Sequence, residues 1–328
     1  MTAVESPGGV MPIVRLPLLV AARGEIARDL HSFELRGPAG GTLPPFSAGS
    51  HLEVVVPCGL VRKYSLCNDP AETDRYVIVV KHEATGTGGS ASMVRDAQVG
   101  TTLDCAPPRN DFPLPARAGS FLFIAGGIGI TPIMSMLRHL HAHGETRYRL
   151  VYCTRGPEFT AFRDELAAPE FHGRVKIHHD EGDPERALDL WPLLQRPTGA
   201  HLFCCGPRPM MEAVRDMTGH WPSSSVHFES FADGATTHRA SDTPFCVRLA
   251  RSGGVVNVPA ETSILGALRA VGHTLASSCE SGTCGTCRTR LLAGEADHRD
   301  LVLSDAERDE YIMVCVSRAR SDELVLDL

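Results

Sequence analysis

Three cysteines lie close together in the stretch SSCESGTCGTCRT, and a fourth follows some distance along the chain. Cys279, Cys284 and Cys287 have the spacing C-x4-C-x2-C, and Cys315, within IMVCVS on a predicted strand, is the next cysteine. This is the spacing of plant-type [2Fe–2S] clusters, in which four thiolates bind two irons. Small residues between the cysteines would let the loop wrap closely around such a cluster. Structural zinc, which usually takes two C-x2-C pairs, and plain buried thiols are the alternatives.

A glycine-rich turn, GGIGITP at 126–132, follows the apolar stretch FLFIA and is predicted to open a helix. Thr131 is the expected N-cap and Pro132 the first helical residue. Gly127 and Gly129 carry no side chains where the backbone would approach a pyrophosphate, and a helix N-terminus favours an anion. Because Pro132 replaces the last glycine of the dinucleotide fingerprint, tight packing is the alternative explanation.

A second turn between a strand and a helix is CCGPRPMM at 204–211. It places Cys205, Gly206 and Pro207 at the carboxyl edge of the same predicted parallel sheet. Open α/β sheets bind their ligands at this edge, so the two turns together indicate a nucleotide site.

A third motif, RKYSLCNDP at 62–70, lies in the amino-terminal part of the chain. Arg62 offers a fork for a phosphate, Tyr64 an aromatic face, and Ser65 a hydroxyl for a ring heteroatom. In GTGGSAS at 86–92, Gly89 and Ser90 precede a short helical segment and could receive a phosphate. An ordinary exposed strand and a flexible loop are the alternatives.

The elements that must position these motifs follow three different patterns of secondary structure along the chain. Residues 1–112 alternate short β-branched runs with turn clusters, which predicts an antiparallel β-barrel. Residues 118–230 alternate strands with helices, two of them near 160–167 and 208–217, which predicts a parallel α/β sheet. Residues 243–328 begin with a predicted hairpin, followed by a helix near 263–271 and the cysteine loop. A polar segment near 233–243 is the expected linker.

The composition excludes several classes of protein. The 328 residues carry a formal net charge of -7 with basic residues scattered, which disfavours nucleic acid or an anionic membrane as a partner. The most apolar segment, FLFIAGGIGITPIM, is too short and too interrupted by Gly and Pro to span a bilayer. We therefore expect a cytoplasmic protein without a membrane or nucleic-acid partner. In a reducing cytosol, a tight cysteine cluster indicates a metal or redox site rather than disulfides.

Taken in order, RKYSLCNDP, GGIGITP, CCGPRPMM, HFESF and the four cysteines resemble the phthalate dioxygenase reductase family. This family comprises reductase components of aromatic-ring oxygenase and O-demethylase systems, and the resemblance covers essentially the whole chain. It implies a Greek-key flavin barrel, an NAD domain of the ferredoxin-reductase type and a C-terminal plant-type ferredoxin domain with a β-grasp α+β fold. It also implies FMN rather than FAD, and NADH rather than NADPH.

The resemblance also implies roles for individual residues. Arg62, Tyr64 and Ser65 would hold the phosphate, ribityl chain and ring of the flavin, and Phe231 would lie against that ring unless it is a plain core aromatic. Arg155, after the strand YRLVYCT, is a cation that could serve a 2′-phosphate instead. The expected catalytic residues are Ser65, Cys205 and Phe231. The predicted cofactor-binding residues are Arg62, Lys63, Tyr64, Ser65, Gly89, Ser90, Gly127, Gly129, Thr131, Cys205, Gly206, Pro207, Glu229 and Phe231.

Electron counting sets the order of the predicted cofactors. NADH delivers two electrons as a hydride and a [2Fe–2S] cluster accepts one at a time, so a flavin must stand between them. The predicted route is NADH, FMN, cluster and then a terminal oxygenase of the Rieske type, bound transiently by a monomeric reductase. The alternatives are a cytochrome P450 as partner, a partnerless NADH oxidase or diaphorase, and a sensor with a regulatory cluster.

Overall fold

The computed structural model describes residues 15–116, 118–231 and 238–328. These residues form three main sheets, which follow one another along the chain. The linker predicted near 233–243 lies partly outside the described residues. Within them, no helix combines the length and apolar composition that crossing a membrane requires.

The first sheet is antiparallel and curls into a barrel. Its strands are β1 (Leu16–Ala27), β2 (Leu30–Arg36), β3 (His51–Val55), β4 (Val61–Ser65), β5 (Tyr76–Lys81) and β6 (Thr102–Cys105), and the helix α1 (Gly89–Asp96) follows β5. The strand order is β4-β3-β6-β1-β2-β5. Alternating residues such as Leu18 and Val20 face inward and are fully buried. A bridge between Leu66 and Ile78 joins the two edges, which confirms the predicted barrel.

The second sheet is parallel and has helices on its faces. Its strands are β7 (Phe121–Gly126), β8 (Tyr148–Thr154), β9 (Val175–His179), β10 (His201–Cys205) and β11 (Val226–Glu229), in the order β11-β10-β7-β8-β9. Its helices are α2 (Ile130–Ala142), α3 (Arg163–Leu166), α4 (Trp191–Leu194) and α5 (Arg208–Met217). In the parallel register Cys205 is the neighbour of Glu229 on one side and of Ala125 on the other. The carboxyl ends of three strands therefore meet at one place.

Two helices of this sheet were predicted from the sequence with different success. The helix predicted at 208–217 is confirmed as α5. The helix predicted near 160–167 is wrong in length, because α3 contains only Arg163–Leu166. Phe162 just before it has a φ of 55°, a left-handed conformation that interrupts a right-handed helix.

The third sheet has the ferredoxin (β-grasp) arrangement. Its elements are β12 (Phe245–Leu249), β13 (Val255–Val258), α6 (Ile264–Ala270), β14 (Arg288–Ala293), β15 (Ala296–Asp297), α7 (Asp305–Arg308), β16 (Tyr311–Met313), β17 (Arg318–Ala319) and β18 (Glu323–Leu326). The main sheet has the order β13-β12-β18-β14-β16, and β15 pairs with β17. The hairpin β12–β13 and the helix α6 were both predicted, and α6 begins after Ser263, whose hydroxyl accepts from the Gly266 N–H.

The ferredoxin region, residues 238–328, is attached to the parallel-sheet region through α5. Leu301 is only 8% exposed and belongs to the same apolar cluster as Met211 and Val214 of α5. Beside it, the Arg208 guanidinium donates to the Arg299 carbonyl oxygen at 2.8 Å. The two regions therefore share a buried apolar contact.

A buried ion-pair network anchors the start of the ferredoxin region. Asp242 accepts from both terminal nitrogens of Arg299 at 2.8 and 2.6 Å. Arg299 also donates to Asp297, and Arg318 lies 3.5 Å from Asp242. The side chains of Asp242, Arg299 and Arg318 are 5%, 4% and 2% exposed, so the charges compensate one another away from water.

Candidate functional site

A cavity of about 460 Å³ opens where the barrel, the carboxyl edge of the parallel sheet and the cysteine loop meet. Eight of the predicted cofactor-binding residues line it: Arg62, Lys63, Tyr64, Ser65, Gly89, Ser90, Glu229 and Phe231. The predicted cluster cysteine Cys279 lines the cavity as well, whereas no sequence motif points to the other lining residues, among them His51, Lys81, Thr87, Asp111, Ile128 and Thr283. Two segments far apart in the sequence, 62–65 and 228–231, thus face one space.

One end of the cavity has the features of a phosphate site. The helix α1 begins at Gly89, and its first turn has no side-chain cap. The Arg62 guanidinium lies across this turn and donates to the Thr87 hydroxyl at 2.5 Å. A Cβ atom at Gly89 would lie 3.0 Å from Arg62 Nε, so a glycine lets the arginine approach. Open backbone N–H groups, a helix N-terminus and a guanidinium fit the phosphate of a flavin mononucleotide.

The middle of the cavity joins β4 to β11 through two side chains. Ser65 is 4% exposed, and its hydroxyl donates to Oε2 of Glu229 at 3.4 Å. Burial raises the pKa of Glu229 to about 8, although the hydrogen bond from Ser65 acts in the opposite direction. Glu229 is therefore mostly protonated at neutral pH.

Two aromatic side chains border the same space. Tyr64 is half-buried on β4, and Phe231 follows β11 with 41% of its surface exposed. Phe231 lines the cavity, so a planar ring bound there would cover an aromatic surface that is otherwise open to solvent. This geometry fits the predicted position of Phe231 against a flavin ring better than a plain core aromatic.

The residues predicted for the nicotinamide path lie together at the carboxyl edge of the sheet. Gly126, Gly129 and Gly206 are tightly packed: a Cβ at Gly129 would lie 2.1 Å from the Cys205 carbonyl oxygen. A Cβ at Gly206 would lie 2.9 Å from Gly126 Cα. Gly127, by contrast, has a φ of 52° and open space around its Cβ position. Close packing thus accounts for Gly129, whereas Gly127 faces free space.

The predicted start of the helix at 131–132 is wrong. A 3-10 turn at Gly127–Gly129 continues directly into α2, which begins at Ile130. The Thr131 hydroxyl therefore donates to the Ile128 carbonyl oxygen at 3.0 Å instead of capping the helix from outside. The helical conformation begins earlier because the glycines turn the chain at the strand end itself.

Cys205 is fully buried at the end of β10. Burial raises the pKa of its thiol well above the ordinary value, with neighbouring Glu229 acting in the same direction. The residue is therefore a neutral thiol beside Glu229. Gly206 and Pro207 follow it, and Arg155 lies exposed after β8.

The four predicted cluster cysteines form two pairs. Hydrogen bonds join the thiols of Cys279 and Cys284, and those of Cys287 and Cys315. Over the described part of the chain no three His, Cys, Asp or Glu side chains converge on one metal ion. A [2Fe–2S] cluster needs two thiolates at each of two irons, and two pairs of cysteines fit that requirement.

The loop also stabilises a thiolate at its first cysteine. The hydrogen bond from Cys284, with the backbone N–H groups of Ser281 and Thr283, lowers the pKa of Cys279 to about 4. Gly282, at a φ of 78°, closes the turn in a left-handed conformation that favours glycine. The N–H groups thus point at sulfur, as the binding of an anionic cluster requires.

Cys315 does not lie on a strand as predicted. The strand β16 ends at Met313, and Cys315 is buried in the turn that follows. The N–H of Ser317 donates to the Met313 carbonyl oxygen at 3.0 Å, so the chain turns there. This turn directs the fourth thiol to the loop of the other three.

Two protein-family models match parts of the chain. Residues 247–320 match the 2Fe-2S iron-sulfur cluster binding domain, and residues 123–187 match the oxidoreductase NAD-binding domain. These regions define an oxidoreductase that combines an NAD-binding domain with a 2Fe-2S domain.

Among the similar proteins that match almost the full chain are two curated relatives and one solved structure. The phthalate dioxygenase reductase of Burkholderia cepacia is 56% identical over 95% of this chain and 97% of its own. The phthalate 4,5-dioxygenase oxygenase reductase subunit of Pseudomonas putida is 55% identical over 95% and 96%. A solved phthalate dioxygenase reductase, described as a modular structure for electron transfer from pyridine nucleotides to [2Fe-2S], gives a TM-score of 0.70 at 55% identity over 96% and 98%.

The chain therefore belongs to the phthalate dioxygenase reductase family, the reductase components of oxygenase systems. Its cofactors are FMN, NADH and a [2Fe–2S] cluster, as the resemblance of its motifs implied. The three-part fold predicted from the sequence is confirmed.

Proposed function

We propose that this protein is the NADH-dependent reductase of a Rieske-type oxygenase that acts on an aromatic or similar substrate. The observation that carries the proposal is the shared cavity, in which Ser65, Glu229 and Phe231 face the cluster cysteine Cys279. When bound there, FMN takes up two electrons as a hydride and releases them singly. The residues of the chain supply binding, orientation and exclusion of water.

The flavin phosphate would bind Arg62 and the first turn of α1 at Gly89 and Ser90. Tyr64 and Phe231 would contact the flavin ring, and Phe231 would give way to the nicotinamide. The Ser65 hydroxyl, which donates to Glu229, would orient the flavin ring at the position that receives the hydride.

The dinucleotide would lie along the carboxyl edge of the parallel sheet. Gly127 leaves open space there, and Gly206 and Pro207 lead from Cys205 into α5. The neutral thiol of Cys205 would border the nicotinamide without adding charge. Thr131 is 2% exposed and would act by fixing the turn rather than by touching the nucleotide.

Several broader predictions accompany this function. We propose domain boundaries of 1–112, 118–230 and 243–328 for the flavin, NAD and ferredoxin domains. We also propose a cytoplasmic monomer that meets its oxygenase transiently and has no nucleic-acid or membrane partner. The acidic net charge and the close relation to oxygenase reductase subunits support these proposals.

Cofactor content and reconstitution test the function. The purified protein should release about one FMN and contain two irons per chain. It should oxidise NADH in preference to NADPH and restore turnover to a phthalate-type Rieske oxygenase. Zinc in place of iron, or FAD in place of FMN, would contradict the cofactor assignment. Turnover with a cytochrome P450 alone, or NADH oxidation without any partner, would support the alternatives.

A further inference from the structure

Two side chains of the barrel region hold one residue of the cysteine loop. The Lys63 ammonium on β4 donates to the Ser278 carbonyl oxygen at 2.7 Å. The Ser278 hydroxyl donates to Oδ1 of Asp111 at 2.5 Å. The backbone of Ser278 is thus bound by a cation and its side chain by an anion, and both charged groups belong to the barrel region.

The position of Ser278 makes this contact significant. It directly precedes Cys279, the one cluster cysteine that lines the flavin cavity among the residues the structure describes. A peptide group is rigid, so fixing Ser278 also fixes the start of the cysteine loop. Lys63 and Asp111 both line the cavity as well, so the grip lies where flavin and cluster would be closest.

The ferredoxin region has a second attachment, which is made to α5 of the parallel-sheet region rather than to the barrel. Leu301 and the Arg208–Arg299 hydrogen bond hold it to α5. A single attachment would leave the region free to rotate about α5, whereas the contacts at Ser278 fix its angle. Two hydrogen bonds add little stability beside the buried apolar contact at α5, so their effect lies mainly in orientation.

We propose that Lys63 and Asp111 are positioning residues for electron transfer from flavin to cluster. Together they form a clasp on Ser278 that holds Cys279 against the flavin cavity. This inference rests on the proposed function, since it assumes that electrons pass from FMN to the cluster. No bond is made or broken in the step: one electron leaves the reduced flavin and one iron centre gains it.

The first test replaces Ser278→Ala in the full-length holoenzyme, with Ser277→Ala as the matched control. The Ser277 hydroxyl donates to Glu280 within the ferredoxin region, so its loss leaves the clasp intact. In stopped-flow reduction by NADH, flavin reduction should be unchanged in Ser278→Ala. Transfer from flavin to cluster should slow about tenfold, because small losses of alignment cost much rate. The control should match the wild type in both phases.

A second test measures position without activity. Hydrogen–deuterium exchange of the peptide containing 276–283 should be faster in Ser278→Ala than in the wild type and in Ser277→Ala. The electron paramagnetic resonance spectrum of the dithionite-reduced cluster should be the same in all three proteins. Asp111→Asn keeps an oxygen acceptor for Ser278 and should retain the transfer rate, whereas Asp111→Ala should lose it.

The possible outcomes separate the clasp from the function. Unchanged transfer and unchanged exchange in Ser278→Ala would overturn the clasp while leaving the electron route in place. Equal slowing in Ser277→Ala would also overturn it, because a general disturbance of the loop would then be the cause. A wild-type protein whose cluster is not reduced by NADH would instead overturn the proposed function.

Discussion

The Ser65 hydroxyl donates a hydrogen bond to Glu229, with 3.4 Å between Oγ and Oε2, and so links the barrel to the end of the parallel sheet. The two residues are 164 positions apart in the chain. Each had been selected from the sequence for a separate motif. Their contact places the flavin motif and HFESF on the same cavity.

The raised pKa of Glu229 predicts a pH dependence of stability. The folded-state pKa is about 8 and the ordinary value is 4.5, so the folded protein retains a proton that the unfolded chain releases. This contribution is fully present below pH 4.5 and is lost as the pH rises towards 8. Glu229→Gln should remove this part of the decline in melting temperature between pH 5 and pH 8.5. An unchanged decline in the variant would contradict the assigned pKa.

Removing a cluster thiolate should separate the two halves of the electron route. Cys284→Ser should lose reduction of cytochrome c or an oxygenase by orders of magnitude, because the one-electron relay is interrupted. NADH oxidation with ferricyanide should largely survive, since flavin can reduce that acceptor directly. Cys246→Ser is the control, because Cys246 lies on β12 outside the cluster loop. Equal retention of both activities in Cys284→Ser would place the cysteines off the route.

The glycines at the sheet edge should respond differently to alanine. Gly129→Ala would place a Cβ 2.1 Å from the Cys205 carbonyl oxygen and should lower the melting temperature markedly. Gly127→Ala meets no atom within 4 Å and should cost about 1 kcal/mol for its left-handed backbone. It should instead raise the KM for NADH while the flavin and cluster spectra stay intact. A normal KM in Gly127→Ala would place the pyrophosphate elsewhere.

The buried ion-pair network should matter more than an exposed pair in the same region. Asp242→Ala leaves two buried cations, Arg299 and Arg318, with the single carboxylate of Asp297 beside Arg299, and should cost about 3–5 kcal/mol of unfolding free energy. Glu323→Ala removes an ion pair with Arg248 whose side chains are 37% and 50% exposed, and should cost under about 1 kcal/mol. Urea unfolding followed by the visible circular dichroism of the cluster measures both. Similar losses in the two variants would contradict a special role for Asp242.

Local sequence patterns predicted much of this protein because short-range rules govern them. Alternating apolar residues gave the barrel strands, and the apolar face of α2 gave its buried Ile133 and Leu137. The cysteine spacing identified the cluster loop without any knowledge of the fold. These features depend on neighbours in the chain, which the sequence displays directly.

Other features depend on contacts that the chain order does not reveal. The glycine-rich motif predicts that Gly129 leaves space for a ligand, but the close approach of β10 to the turn explains this glycine. Cys315 was placed on a strand because its apolar neighbours resemble one, whereas the fourth cluster position requires a turn. Lys63 and Asp111 meet Ser278 only when the barrel and the ferredoxin region pack together, so no local pattern could have indicated their contact.

Leu301 of the ferredoxin region packs into an apolar cluster of the parallel-sheet region. A ferredoxin region taken from another reductase would bring its own cluster ligands. It would also need an apolar residue of matching shape at the position of Leu301, beside α5. Exchange of ferredoxin modules by recombination is thereby restricted to chains whose α5 surfaces agree.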